Sequence, residues 1–277
     1  MTKEILKYLK EQEYVSDLLL PQEIKNGLST VYIGQKIFYF PELESTNIIA
    51  KVKASPRVEG INEGTIIIAE RQSAGKGRLG RRWFSPLGGI WLSIILYPQL
   101  SPSYIPRITL MTAVVIVKAM ERCAQIKAQI KWPNDILINE KKVGGILTEM
   151  SAELDMINWV VVGIGINVNV AHREFPEDIE EKMISLQEFL GKEIPRVRLA
   201  QILLEEFEKY YERLKRREFS SILKEWKLSS HTLGKKIKIN IGGKVVSGEA
   251  INVNEEGALI LKKENGELEK IISGTII

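Results

Sequence analysis

The run Gly75-Lys76-Gly77-Arg78-Leu79-Gly80, followed at once by Arg81 and Arg82, threads three glycines among four cations. Glycine permits unusual φ and close approach of the backbone to a ligand. Arginine offers a planar fork that matches a carboxylate or a phosphate. The six residues also satisfy G-x-G-x-x-G, the dinucleotide fingerprint, which needs a strand feeding the first glycine and a helix opening at the last. Neither holds. Arg71-Gln72-Ser73-Ala74 separates the strand-like Thr65–Glu70 from Gly75, and Pro86 bars a helix after Gly80. No acidic residue sits where a ribose would be gripped, and no P-loop ending is present. The stretch reads instead as a flap that can fold over an anion and expel water. Trp83 and Phe84 at its exit can stack on a base or cover an apolar ligand.

From Arg71 to Met120 there is no Asp or Glu, while Arg71, Lys76, Arg78, Arg81, Arg82, Arg107 and Lys118 all fall there. Such a local positive field suits a bound anion. Other chemistries find little support. Cys123 is the only cysteine, which excludes an internal disulfide and a cysteine-based metal cluster. His172 and His231 are the only histidines, and neither lies beside a plausible nucleophile. The net charge of +4 is too mild to argue for nucleic acid by itself.

Three further groups could work with the flap. Ser45-Thr46-Asn47 offers hydroxyls and an amide, or else an N-cap for the apolar-periodic run behind it. In Lys131-Trp132-Pro133-Asn134-Asp135 the proline interrupts a strand-like run, forcing an edge or bulge that aims its neighbours. An Asx turn at Asn134-Asp135 is the bland alternative. Lys142 comes just after a turn at Asn139-Glu140-Lys141, and Gly144-Gly145 lets a strand pass close to a ligand or makes a bulge. The glycines of Gly163-Ile164-Gly165-Ile166-Asn167 leave space above a strand or serve tight packing.

These residues must be positioned by a chain of 277 residues, 44% hydrophobic and 27% charged, an ordinary globular composition able to bury a sizeable core. Residues 3–12 read as one helix, and Pro21–Leu28 as a short second one closed by Asn26-Gly27. Residues 31–40, 65–70, 88–97 and 158–170 read as strands, and 129–150 as a hairpin. Helices are expected over 103–124, from Pro195 to about Arg217, and on to Trp226. Beyond Leu228 short β-rich runs alternate with turns, as in a small barrel of SH3-like size. The pattern is an α+β plan: a mixed sheet with helices packed on one side plus a C-terminal barrel. The expected division is residues 1–33, a short helical segment; 34–230, the catalytic part; and 231–277, the barrel. The N-terminus is not a signal peptide, no apolar run approaches a membrane span, and a cytoplasmic location is expected.

Four blocks together carry a resemblance. Glu70–Pro86, Glu44–Asn47, Lys131–Leu147 and Gly163–Asn169 occur in an order and spacing that resembles the biotin protein ligase family, from about residue 35 to the C-terminus. The combination is specific, although any one block alone is not. Lys76 stands where many members carry arginine. The resemblance implies a class II synthetase-like catalytic fold and a two-step reaction. Biotin and ATP give biotinyl-5′-AMP and pyrophosphate, and a lysine of a biotin carboxyl carrier protein domain then displaces AMP.

It also implies roles. Ser45, Thr46, Asn47, Gln72, Gly75, Lys76, Gly77, Arg78, Lys142 and Gly145 would bind biotin. Arg78, Arg81, Trp83, Lys131, Asn134, Gly165 and Asn167 would bind ATP, with Trp83 over the adenylate and Asn167 at the purine edge. Arg78 and Lys142 would clamp the reacting carboxylate and α-phosphate, Lys131 would stand near phosphate, and Asp135 would orient or deprotonate the incoming lysine. Mg²⁺ is expected to arrive on the ATP phosphates rather than in a protein cage. Some members also carry a winged helix-turn-helix. Residues 1–33 resemble its opening and the segment after it but leave no room for a recognition helix, so no operator binding is expected. A homodimer through a sheet edge is left open. The competing readings are a lipoate–protein ligase, whose motifs differ at the flap and at Lys131–Asp135, and a ligand-sensing regulator.

Overall fold

The computed structural model describes residues 17–55, 60–154 and 156–277; the helix expected over residues 3–12 lies outside them. Seven strands form the main sheet: β1 (Ile37–Leu43), β2 (Thr65–Gln72), β3 (Ile90–Leu96), β4 (Gln129–Lys131), β5 (Asp135–Ile138), β6 (Lys141–Glu153) and β7 (Met156–Ile166). Their spatial order is β1-β2-β3-β7-β6-β5-β4. The β1–β2 pair is parallel and the others are antiparallel. All of β3 and most of β2 are buried, which is why both read as nearly unbroken apolar runs.

Helices Ile105–Ala124, Arg196–Lys215 and Phe219–Leu228 cover the face that presents Ile66, Ile68, Ile94, Val160 and Val162. By length and composition Ile105–Ala124 could cross a bilayer, yet it is packed between the sheet and the two other helices. A fourth helix, Thr46–Ala54, lies on the opposite face, with Ala50 and Ala54 on Ile67, Ile95 and Val161. It covers only part of that face, and the remainder carries the site.

Residues 17–33 are tied to the same core. The buried guanidinium of Arg196 meets Asp17 at 2.7 Å and Glu70 at 2.8 Å, and Glu70 also accepts the Leu19 N–H. The Glu208 carboxylate accepts the backbone N–H groups of Val31, Tyr32 and Ile33. Those contacts take residues 31–33 out of strand pairing, so the strand expected from residue 31 begins at Ile37.

The C-terminal part is a second antiparallel sheet of β8 (Lys236–Ile241), β9 (Lys244–Val253), β10 (Leu259–Lys262), β11 (Leu268–Ile271) and β12 (Thr275–Ile276), in the order β11-β10-β9-β8-β12. Trp132 joins the two sheets. Its backbone N–H donates to Thr232 Oγ1 at 2.9 Å and its indole to the Gly257 carbonyl at 3.2 Å.

Candidate active site

The floor of the site is a row of residues running straight across the sheet. Lys131 pairs with Asp135, Asp135 with Gly145, Gly145 with Gly165, and Gly165 with Trp91. The next row toward helix Thr46–Ala54 holds Leu147, Gly163 and Ser93. Lys142 should not face this side, because strand alternation sets it against Gly145. A register shift corrects the phase. Leu137 pairs with Lys142 while Ile136 pairs with Gly144, so Val143 is the extra residue of a bulge. Val143 drops into the core, and Lys142 joins Asp135 and Gly145 at the cleft.

The glycine-rich stretch closes over this floor as a hairpin-like flap. Gln72 bridges to Ser85, the Trp83 N–H donates to the Gly75 carbonyl at 2.8 Å, and the Gly77 N–H donates to the Arg81 carbonyl at 2.7 Å. Leu79 turns the tip with φ of 56°, and the backbone leaves the flap at Arg81 in an extended conformation rather than a helical one. Side chains of the flap tie it to the rest of the molecule. Arg78 donates to Asn134 Oδ1 at 3.0 Å and to Ser273 Oγ at 2.9 Å, and Arg81 donates to Thr275 Oγ1 at 3.0 Å. The small sheet therefore forms part of the wall.

Trp83 lies across the two floor glycines. A Cβ at Gly165 would stand 2.5 Å from its Nε1, and one at Gly145 would stand 3.4 Å from its ring. The ring meets Trp91 edge-on at 6.3 Å, and its buried N–H has no partner among the described residues. Gly165 is thus what lets the indole reach the sheet, whereas a Cβ at Gly145 would make an ordinary contact with it.

One end of the cleft is charged. Lys76, Arg78, Arg81, Arg82, Lys131 and Lys142 line it against a single carboxylate among the described residues, Asp135, which pairs with Lys142 at 2.5 Å. Burial lowers the Arg78 pKa; Arg81 adds to the lowering and Asp135 opposes it. The other end is neutral. Gln72 Oε1 accepts the Thr46 N–H at 2.8 Å, and its amide donates to Ser85 Oγ at 2.7 Å. Asn47 donates to the Leu147 carbonyl and to Glu149, and Ser93 Oγ lies 2.8 Å from Thr46 Oγ1 and 2.6 Å from Asn47 Oδ1. Ser45 stands at the N-cap position, yet its side chain caps no backbone amide. The capping alternative does not use its hydroxyl.

The cleft brings together all the sequence-assigned residues except two. Asn167, assigned to a purine edge, is fully buried behind the floor, and its amide donates to the Ile184 carbonyl at 3.1 Å. The chain leaves the sheet after Ile166, so the strand's alternation no longer governs where Asn167 points. Gly75 does not line the cleft either; a Cβ there would meet the Trp83 carbonyl at 2.4 Å, so it serves the flap's own closure. Sequence reasoning missed Ser93, Glu149 and Ser273–Ile276. An isolated serine within an apolar strand was the one available signal for Ser93. Nothing local marks the others.

The same arrangement occurs in known proteins. The description "Biotin/lipoate A/B protein ligase family" matches residues 39–167, and "Biotin protein ligase C terminal domain" matches residues 232–277. The bifunctional ligase/repressor BirA of Bacillus subtilis (strain 168) is 38% identical over 93% of this chain and 78% of its own length. The biotin–[acetyl-CoA-carboxylase] ligase of Paracoccus denitrificans is 30% identical, over 80% of this chain and 92% of its own. The structure of the Aquifex aeolicus biotin protein ligase in complex with biotin and ATP superposes with a TM-score of 0.75 at 29% identity, covering 88% of this chain and 98% of that one. A mixed sheet under a cationic flap, joined to a small antiparallel sheet, is the plan of an acid-activating ligase. The chain belongs to the biotin protein ligase family.

Proposed function

We propose that this enzyme condenses biotin with ATP to biotinyl-5′-AMP and then passes the biotinyl group to a lysine of a biotin carboxyl carrier protein domain. The observation that carries the reading is the division of one cleft into a neutral, hydrogen-bonding end and a cationic end. A ligand with an uncharged polar ring and a carboxylate at the far end of an apolar chain matches that division. In the first step the carboxylate oxygen attacks the α-phosphorus and pyrophosphate leaves. Two anions must meet, and Arg78, Lys131 and Lys142 supply positive charge where negative charge gathers. The flap, held to the small sheet through Arg78 and Arg81, keeps water from the mixed anhydride.

In the second step the carrier amine attacks the acyl carbon, AMP leaves, and the amine loses a proton. Asp135 is the carboxylate at hand to take it. Lys142 pairs with Asp135. A phosphate at the charged end draws Lys142 away and frees Asp135 for the amine. Trp83, already against the floor, covers the adenylate.

The residues do not fit a protein-held Mg²⁺. Among the described residues Asp135 is the one carboxylate lining the cleft, and no three His, Cys, Asp or Glu side chains gather. Mg²⁺ in this proposal enters on the phosphates of ATP, and every step rests on the chain's own side chains.

The test is biotin-dependent exchange of pyrophosphate into ATP, followed by ATP-dependent biotinylation of a purified carrier domain. Exchange supported by lipoate rather than biotin would redirect the assignment. A gel-shift with operator DNA in the presence of biotin and ATP tests the companion expectation of no sequence-specific binding.

A further inference from the structure

The neutral end of the cleft contains amides and hydroxyls, and such groups can face a ligand as donors or as acceptors. Their polarity is fixed from outside the cleft. Both N–H bonds of the Asn47 amide are engaged, one on the Leu147 carbonyl at 3.2 Å and one on Glu149 Oε2 at 2.8 Å. A carbonyl and a carboxylate only accept, so they settle which end of the amide is nitrogen. Glu149 is itself held by Lys51 at 2.6 Å through its other oxygen.

The consequences run inward along the network. Asn47 Oδ1 must face Ser93, and the single Ser93 proton goes to it at 2.6 Å. Ser93 Oγ then has only lone pairs for Thr46 Oγ1, 2.8 Å away. The Thr46 proton points either there or to Gln72 Oε1 at 3.2 Å. The Gln72 amide nitrogen is committed to Ser85. What Asn47, Thr46 and Gln72 leave toward the cleft is oxygen lone pairs. Gly163 secures the arrangement, since a Cβ there would stand 2.1 Å from Asn47 Oδ1.

We infer that Glu149, with Lys51 behind it, is a positioning residue that orients Asn47 so that the neutral end selects a ligand ring presenting N–H donors. The inference rests on the biotin reading above, since a ureido ring carries two such N–H groups. A site built around hydrogen bonds to a substrate N–H rejects analogues that lack it far more strongly than an apolar pocket rejects a change in size. Glu149 acts through Asn47 and need not touch the ligand.

The experiment is steady-state pyrophosphate exchange by the full chain, with KM for biotin and for ATP measured separately. Glu149→Leu should raise the biotin KM at least tenfold while the ATP KM and kcat stay within threefold. Glu149→Gln should stay within threefold of wild type, because its carbonyl can still accept from Asn47 and Lys51 can turn to solvent. A polarity swap gives the decisive readout. Asn47→Asp, which sets two carboxylates together, should raise the biotin KM, and adding Glu149→Gln should recover at least fivefold by donating to Asp instead. The swap also decides the matter should Glu149→Leu fail to fold. An unmoved biotin KM in a folded Glu149→Leu variant, or no recovery in the double variant, overturns the role of Glu149. Absence of biotin-dependent exchange in the wild type overturns the functional reading itself, and the inference with it.

Discussion

The two ends of the cleft differ in what holds them. The neutral end stands on the central strands β3, β6 and β7 and on the first turn of helix Thr46–Ala54, and Ser45, Thr46, Asn47 and Ser93 are all buried. Its groups bond to one another and to strand backbone, which together specify one arrangement. The charged end is assembled from the flap, two hairpins and the edge of the small sheet. Lys142 and Asp135 are about a quarter exposed, and Arg78 relies on two side chains and a carbonyl from two separate segments. Arg78, Arg81 and Lys142 there have partners that an anionic ligand can replace. The neutral end is built to recognise, and the charged end to rearrange as charge moves through it.

Substitutions at the two ends should therefore leave opposite kinetic signatures. The largest effect is expected at Lys142. Lys142→Ala should lower kcat for pyrophosphate exchange by about 10²–10³-fold, with the biotin KM nearly unchanged; a loss below tenfold would mean that the charged end does not act on the transition state. Gly163→Ala should do the reverse. Its Cβ would displace Asn47, raising the biotin KM roughly tenfold or more and destabilising the fold by about 1–3 kcal/mol, read from a thermal melt. A variant with normal biotin affinity would break the distinction between the ends.

Arg78→Ala comes next. Loss of charge-assisted hydrogen bonds worth about 1.5–3 kcal/mol should speed escape of biotinyl-5′-AMP by roughly 10–100-fold in a trap experiment, with a smaller change in the ATP KM. The smallest effect is expected at Thr275→Val, which removes one flap anchor. Trypsin cleavage between Lys76 and Arg82 should rise about two- to fivefold in the free enzyme, and biotin plus ATP should suppress it in both forms. Equal cleavage with and without ligands would mean that the flap does not close over them.

Much of this was legible in the chain. The apolar runs of β2, β3 and β7, with Gly144-Gly145 on β6 and Gly163 and Gly165 on β7, announced a buried sheet with room above it. The failed dinucleotide fingerprint already placed the cations on a loop rather than at a helix N-terminus, and the flap's extended exit agrees. Errors arose where a contact distant in sequence overrode a local pattern. Glu208 turned residues 31–33 away from the sheet, and the end of β7 at Ile166 left Asn167 inside the core. Glu149 carries no local signal, and only its meeting with Asn47 and Lys51, about a hundred positions earlier in the chain, gives it meaning.

The sequence by itself determined which groups were available: four blocks of cations, glycines and amides, and the sheet on which most would stand. Residue type and period are local properties, and local physics fixes them. The tertiary structure alone decided their convergence. A one-residue bulge at Val143 rotated Lys142 onto the face of Asp135, and the small sheet supplied Ser273 and Thr275 to the flap. Pairing register and domain contact depend on segments remote in the chain, so no window of sequence could contain them.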